Sequence, residues 1–281
     1  MAMTDPLVST QWLSDHLADP DLRILDGSWW LPAEKRSGHA EYLEAHIPGA
    51  VFFDIDAQSD QSSDLPHMAL SPEAFAQAGS KLGLSRSGIT VVYDTFGIRA
   101  AARVWWNLRL MGFDKVYVLD GGLKAWRAEG RALESGEVPL TPTLLTPAHN
   151  PAIIRNASEV TSILTTGSAQ MVDARGAARF RGDAPEPRPG LKSGHMPGAL
   201  NLPFDSLLNP DGRMKSVAEL TEVFKSASIN LGKPIVTTCG SGVTASVIAL
   251  ALACLGHHDI PVYDGSWSEW GALEGAAIEV G

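Results

Sequence analysis

Cysteine is nearly absent from this chain: 281 residues carry two, Cys239 and Cys254. Two thiols cannot form a disulfide framework for so long a chain, so a reducing setting, the cytoplasm, is expected. Eight histidines are scattered and no paired-cysteine motif occurs, so neither a metal site nor a resident cofactor is expected. Positive charge is also scarce. Lys and Arg number 22 against 32 Asp and Glu, a net charge of -10, which excludes the basic surface that nucleic-acid binding needs. No uncharged apolar run approaches the roughly 18 residues of a membrane span. The opening Met1-Ala2-Met3-Thr4-Asp5-Pro6 lacks the basic and apolar regions of a secretory signal.

What is present is a large apolar fraction, 44% of residues, enough for a substantial core. Its pattern occurs twice. Leu22-Arg23-Ile24-Leu25-Asp26 is a short apolar stretch ending in Asp, and Gln170-Met171-Val172-Asp173 matches it. Ala45-His46-Ile47-Pro48-Gly49-Ala50 returns as Gly194-His195-Met196-Pro197-Gly198-Ala199. A strand at Ile89–Tyr93 corresponds to Pro234–Thr238, and Asp120-Gly121-Gly122 corresponds to Asp264-Gly265-Ser266. Each landmark recurs roughly 145 residues later, as expected of two homologous units. Short apolar strands alternating with helical stretches imply, for each unit, a mostly parallel sheet flanked by helices, an α/β fold. Helices are expected over about 99–111 and 245–255, after Ser71-Pro72-Glu73, and after the capping-box sequence Ser216-Val217-Ala218-Glu219. Pro139, Pro142, Pro147 and Pro151 mark a linker at 139–152, leaving an inactive first domain at 1–138 and a catalytic second domain at 153–281.

The units diverge at one decisive place. Tyr93-Asp94-Thr95-Phe96-Gly97 aligns with Thr238-Cys239-Gly240-Ser241-Gly242, so Asp94 stands where the second unit has Cys239. A cysteine between a strand and a helix, followed by small residues, lets backbone N–H groups curl around the sulfur while the helix N-terminus adds positive potential. Cys254, within an apolar helix, reads as a small core residue. His46 and His195 recur in both units and read as turn-stabilising. The tryptophans, Trp29, Trp30, Trp105, Trp106, Trp267 and Trp270 among them, read as core and inter-domain packing residues.

These landmarks resemble the two-domain rhodanese-type sulfurtransferases over about residues 8–270. The Cys-Gly-Ser-Gly-Val-Thr loop is similar to the branch of that family that takes sulfur from 3-mercaptopyruvate. Branches that use thiosulfate carry basic residues where Gly240 and Ser241 stand here, and a thiosulfate:cyanide sulfurtransferase is the alternative activity. The resemblance implies a Cys239 persulfide, cradled by a loop that includes Gly240, Gly242, Val243 and Thr244. It implies that Arg179 and Arg188 clamp the 2-oxo acid of the donor, a task for which the guanidinium fork is suited, whereas Arg181 reads as structural. It also implies a Ser241–His67–Asp56 relay, with Asp54 the neighbouring alternative to Asp56. The implied acceptor is thioredoxin, a small thiol or cyanide, and pyruvate is released. Two other classes fit poorly. A cysteine phosphatase needs an Arg at the sixth residue after the cysteine, where Ala245 stands, and a non-catalytic module of this family would be expected to lack the cysteine.

Overall fold

In the computed structural model, residues 5–281 are described; residues 1–4 of the N-terminal stretch discussed above lie outside them. Two compact units are present. Among the described residues the first comprises 5–60, 69–150 and 208–214, and the second comprises 61–68, 151–207 and 215–281.

The first unit contains β1 (Leu7–Val8), α1 (Thr10–His16), β2 (Leu22–Asp26), α2 (Gly38–Glu44), β3 (Ala50–Phe52), α3 (Pro72–Lys81), β4 (Ile89–Tyr93), α4 (Ala100–Leu110), β5 (Val116–Leu119) and α5 (Gly122–Ala128). The second contains β6 (Ile154–Arg155), α6 (Ala157–Thr166), β7 (Gln170–Asp173), α7 (Ala177–Arg181), β8 (Leu200–Asn201), α8 (Val217–Ser226), β9 (Ile235–Thr238), α9 (Ala245–Cys254), β10 (Val262–Tyr263) and α10 (Ser266–Trp270). The sheet orders are β1-β5-β4-β2-β3 and β6-β10-β9-β7-β8, the same arrangement twice. Every named strand pair is parallel, which is why each strand needs a crossover and both faces need covering.

Local sequence explains the helix starts. Ser71 accepts from the Ala74 N–H with Pro72 at the first helical position, and Ser216 and Glu219 form a capping box. α4 and α9 differ from these surface helices, because nearly every residue of both is buried. A helix apolar all round belongs inside a core, so Ala-Ser-Val-Ile-Ala-Leu-Ala-Leu-Ala places the start of α9 firmly against its sheet.

Register fixes the equivalence of the units. Asp26 pairs with Tyr93, and Asp173 pairs with Thr238. The next residue of each central strand is therefore Asp94 in one unit and Cys239 in the other. The recurring histidines stabilise turns. His46 Nδ1 lies 2.8 Å from the Tyr42 carbonyl and stacks on that ring, while His195 Nδ1 lies 2.8 Å from the Phe180 carbonyl and stacks on Phe180.

Two expectations need correction. Trp105, Trp106, Trp267 and Trp270 are core residues, but Trp29 and Trp30 are only half-buried. Trp30 lies beneath the guanidiniums of Arg36 and Arg99, at 3.4 and 5.1 Å from its ring centre; a flat ring at a loop surface serves cations as well as it serves a core. Cys254 is half-buried rather than fully enclosed, because it falls on the last turn of α9.

Candidate active site

Cys239 follows β9 and is 2% exposed. Its main chain is pinned on both sides. Its N–H donates to Ser266 Oγ at 3.3 Å, and its carbonyl accepts from the Trp267 N–H at 2.9 Å. The Gly240 carbonyl accepts from both the N–H and the hydroxyl of Ser268, at 2.9 and 2.6 Å. The β10–α10 turn therefore holds the cysteine in place. Ser266 does so from the left-handed region, at φ +49°, where its counterpart in the first unit is Gly122, at φ +55°. Keeping a side chain in that conformation is costly, and the hydrogen bond to Cys239 offsets it.

After Cys239 the chain turns at Gly242, whose φ of +78° suits glycine, and enters α9 through Val243 and Thr244. Among the described residues, no group accepts a hydrogen bond from the backbone N–H of Gly240, Ser241, Gly242, Val243 or Thr244. The first unit shows what such a loop holds. Asp94 Oδ1 accepts from the Gly97 N–H at 2.8 Å, and Oδ2 accepts from the N–H groups of Arg99 and Ala101 at 2.9 and 2.8 Å. Its loop closes on its own carboxylate. In the second unit the ring is built around a sulfur, with its donors left for charge on that sulfur or on a group it carries.

Ser241 is buried, and its hydroxyl lies 2.9 Å from His67 Nδ1. His67 belongs to segment 61–68 of the same unit and is 5% exposed, at φ +62°. A buried histidine in the left-handed region is uncommon, and such conformations concentrate at functional sites. Asp56 belongs to the first unit, where its Oδ2 accepts the Trp29 indole N–H at 2.9 Å. Asp54 Oδ1 instead accepts the backbone N–H groups of Asp56 and Ala57, so Asp54 closes its own turn.

The two predicted clamp arginines converge. A side chain built at Gly240 would meet Arg179 Nη2 at 3.2 Å and Arg188 Nη1 at 4.0 Å. The bare backbone of Gly240 thus admits both guanidiniums beside Cys239. Arg181 takes no part and pairs with Asp183 at the surface.

Sequence reasoning missed the residues behind this clamp. Arg175, fully buried, holds both oxygens of Asp173, the Gly194 carbonyl and Glu186 Oε1, and its guanidinium lies 4.1 Å from the Trp267 ring centre. Burial works against its charge, but the carboxylates of Asp173 and Glu186 outweigh burial and hold the group above its ordinary value. Glu186 binds Arg179 through Nε at 3.2 Å and through Nη2. The signal available in the sequence was Pro185-Glu186-Pro187-Arg188-Pro189. Alternating prolines fix φ and hold the residues before them extended, so Glu186 and Arg188 are presented on a stiff segment.

A buried cysteine at the head of a loop of inward backbone donors, a Ser–His pair beside it and two guanidiniums over the next residue make an arrangement suited to cysteine-centred group transfer, on a parallel α/β sheet. The Rhodanese-like domain model matches residues 9–129 and 156–273, and the chain belongs to that family. It is 44% identical over 273 residues, 97% of each chain, to the 3-mercaptopyruvate sulfurtransferase of Escherichia coli strain K12. It is 42% identical over 270 residues, 94% of this chain and 91% of the relative, to the 3-mercaptopyruvate sulfurtransferase of Homo sapiens. The crystal structure of SseA from Escherichia coli superposes with a TM-score of 0.86 at 42% identity, covering 94% of this chain and all of that one.

Proposed function

We propose that the protein moves a sulfur atom from 3-mercaptopyruvate through a Cys239 persulfide to a thiol or cyanide acceptor, and releases pyruvate. One observation carries the reading: the cations beside Cys239 come from Arg179 and Arg188 over Gly240, while Gly240 and Ser241 supply none. A clamp set to one side of the nucleophile suits a donor whose charge is a carboxylate remote from its sulfur. Relatives named for this activity, at 42–44% identity over nearly the whole chain, support it.

The arginines hold the carboxylate and 2-oxo group. The Cys239 thiolate attacks the donor sulfur, and the carbon–sulfur bond breaks with its electron pair leaving as the enolate of pyruvate. A proton delivered through Ser241 and His67 converts the enolate to pyruvate, which is general acid catalysis. Asp56 is the proposed orienting carboxylate of this relay, on the family resemblance. The loop amides stabilise the persulfide. In the second half-reaction the acceptor attacks the outer sulfur, and the Cys239 thiolate is the leaving group, giving ping-pong kinetics. Thioredoxin, a small thiol or cyanide is the proposed acceptor, and the cytoplasm is the proposed setting of a chain with two cysteines and no disulfide framework.

The test is the ratio of kcat/KM for 3-mercaptopyruvate to that for thiosulfate, with cyanide as acceptor. A ratio well above one is expected. A ratio below one assigns the protein to the thiosulfate:cyanide reaction instead.

A further inference from the structure

We propose that Glu186 is the specificity-determining and positioning residue of the donor site: it holds Arg179 over Gly240 and cancels that arginine's charge, so the clamp favours a singly charged carboxylate over a dianion. The inference rests on the sulfur-transfer reading above and names the device by which one donor is preferred.

The geometry is that of a built ion-pair ladder. Asp173, Arg175, Glu186 and Arg179 alternate in charge along a continuous chain of contacts. The side chain of Glu186 is 1% exposed and that of Arg175 is fully buried, whereas that of Arg179 is 29% exposed, at the open end of the ladder. Two fixed carboxylates therefore balance two guanidiniums. Arg179 keeps its hydrogen-bond donors but contributes little net field. Glu186 cannot relax away, because Pro185 and Pro187 flank it and Arg175 anchors its Oε1 at 2.9 Å.

The Coulomb part of donor binding scales with donor charge. Removing the Glu186 charge adds one positive unit beside Gly240, and a dianion gains about twice as much from it as a monoanion. Loss of the Glu186 contacts also frees Arg179, which weakens the bidentate grip that only a carboxylate donor needs. Both effects lower selectivity for 3-mercaptopyruvate over thiosulfate.

The experiment measures kcat/KM for both donors, with cyanide as acceptor, in the wild type, Glu186→Gln and Glu186→Asp. The active fraction is calibrated by the amount of persulfide each protein forms. In Glu186→Gln the ratio of the two specificity constants is expected to fall about tenfold, which is about 1.4 kcal/mol of differential binding. In Glu186→Asp, which keeps the charge but shortens the reach, KM for 3-mercaptopyruvate rises about threefold and the ratio falls only by that factor, less than in Glu186→Gln. A purely structural role would lower both specificity constants together and leave the ratio and both KM values alone. An unchanged ratio in Glu186→Gln overturns the proposal, and so does an equal fall of the ratio in Glu186→Asp. If Glu186→Gln does not fold, Glu186→Asp still decides it: an unchanged KM for 3-mercaptopyruvate overturns the positioning role. A wild type without 3-mercaptopyruvate activity refutes the donor assignment instead. The Glu186 claim is then read from sulfate, whose inhibition constant must drop in Glu186→Gln relative to that of propionate.

Discussion

Replacing Asp26 by asparagine should remove a pH dependence of stability from the first unit. Asp26 ends β2, is 1% exposed, and burial pushes its carboxyl from 3.8 up to about 6, with the Ser28 hydrogen bonds opposing part of that rise. Its counterpart Asp173 has Arg175 two residues on, whereas Asp26 has Ser28, which brings no charge. Because the folded value exceeds the unfolded one, the folded state binds the proton more tightly between the two. The stabilisation from the protonated carboxyl is whole below about pH 4, and it is lost as pH rises through about 6. At about 1.4 kcal/mol per unit, a shift of roughly two units is worth about 3 kcal/mol. The side-chain amide introduced by Asp26→Asn keeps an oxygen for the Ser28 N–H and cannot ionise. Urea unfolding of wild type and Asp26→Asn between pH 4 and 7.5 checks this, following the transition that the substitution moves. The variant should gain about 2.5 kcal/mol relative to wild type across that range, most of it between about pH 4 and 6, with a plateau above. A difference that is constant with pH would refute the reasoning.

Other perturbations separate the parts of the account. Arg188→Ala should raise KM for 3-mercaptopyruvate by roughly 10- to 100-fold, the scale of a lost charged hydrogen bond, with kcat changed far less; steady-state kinetics reads the split. His67→Gln and Asp56→Asn should lower kcat by about 10²-fold or more, the range of general acid catalysis, while persulfide formation still reaches one sulfur per chain at long times. Asp94→Asn sets an amide against the three N–H donors of its loop. It should cost about 2–3 kcal/mol by denaturant unfolding and leave kcat/KM of the folded protein near the wild-type value.

Much of the fold is legible in the sequence, because the duplicated landmarks are backbone requirements. The central strands, the α4 and α9 helices, both capped helices and the two His-x-Pro-Gly turns stand where periodicity and capping place them. β1 and β6 carry no such signal: at two residues each, they are too short for alternation to register. Nor does chain order show segment 61–68 within the second unit, because that packing is a tertiary property. The grouping of the candidate site was legible in its cysteine and its two arginines. The loop chemistry identifies Cys239, and Arg179 and Arg188 converge as the resemblance implied. Arg175 and Glu186 were not, since charges in a proline-rich loop look solvated until burial is known. The left-handed conformations of Ser266 and His67 were equally hidden, as neither residue type announces a positive φ. Asp94 is instructive in the other direction: its place in the alignment led to the expectation of an inert first unit, and the structure shows that loop closed on the Asp94 carboxylate.

The central claim is that Cys239 carries the transferred sulfur. Intact-protein mass spectrometry after brief exposure to 3-mercaptopyruvate without acceptor tests it most directly. One added sulfur atom per chain, mapped to Cys239, removable by cyanide as thiocyanate and matched by one equivalent of pyruvate, is the predicted result, with none in Cys239→Ser. Pyruvate released without an added sulfur, or a sulfur found on Cys254 instead, would contradict the account.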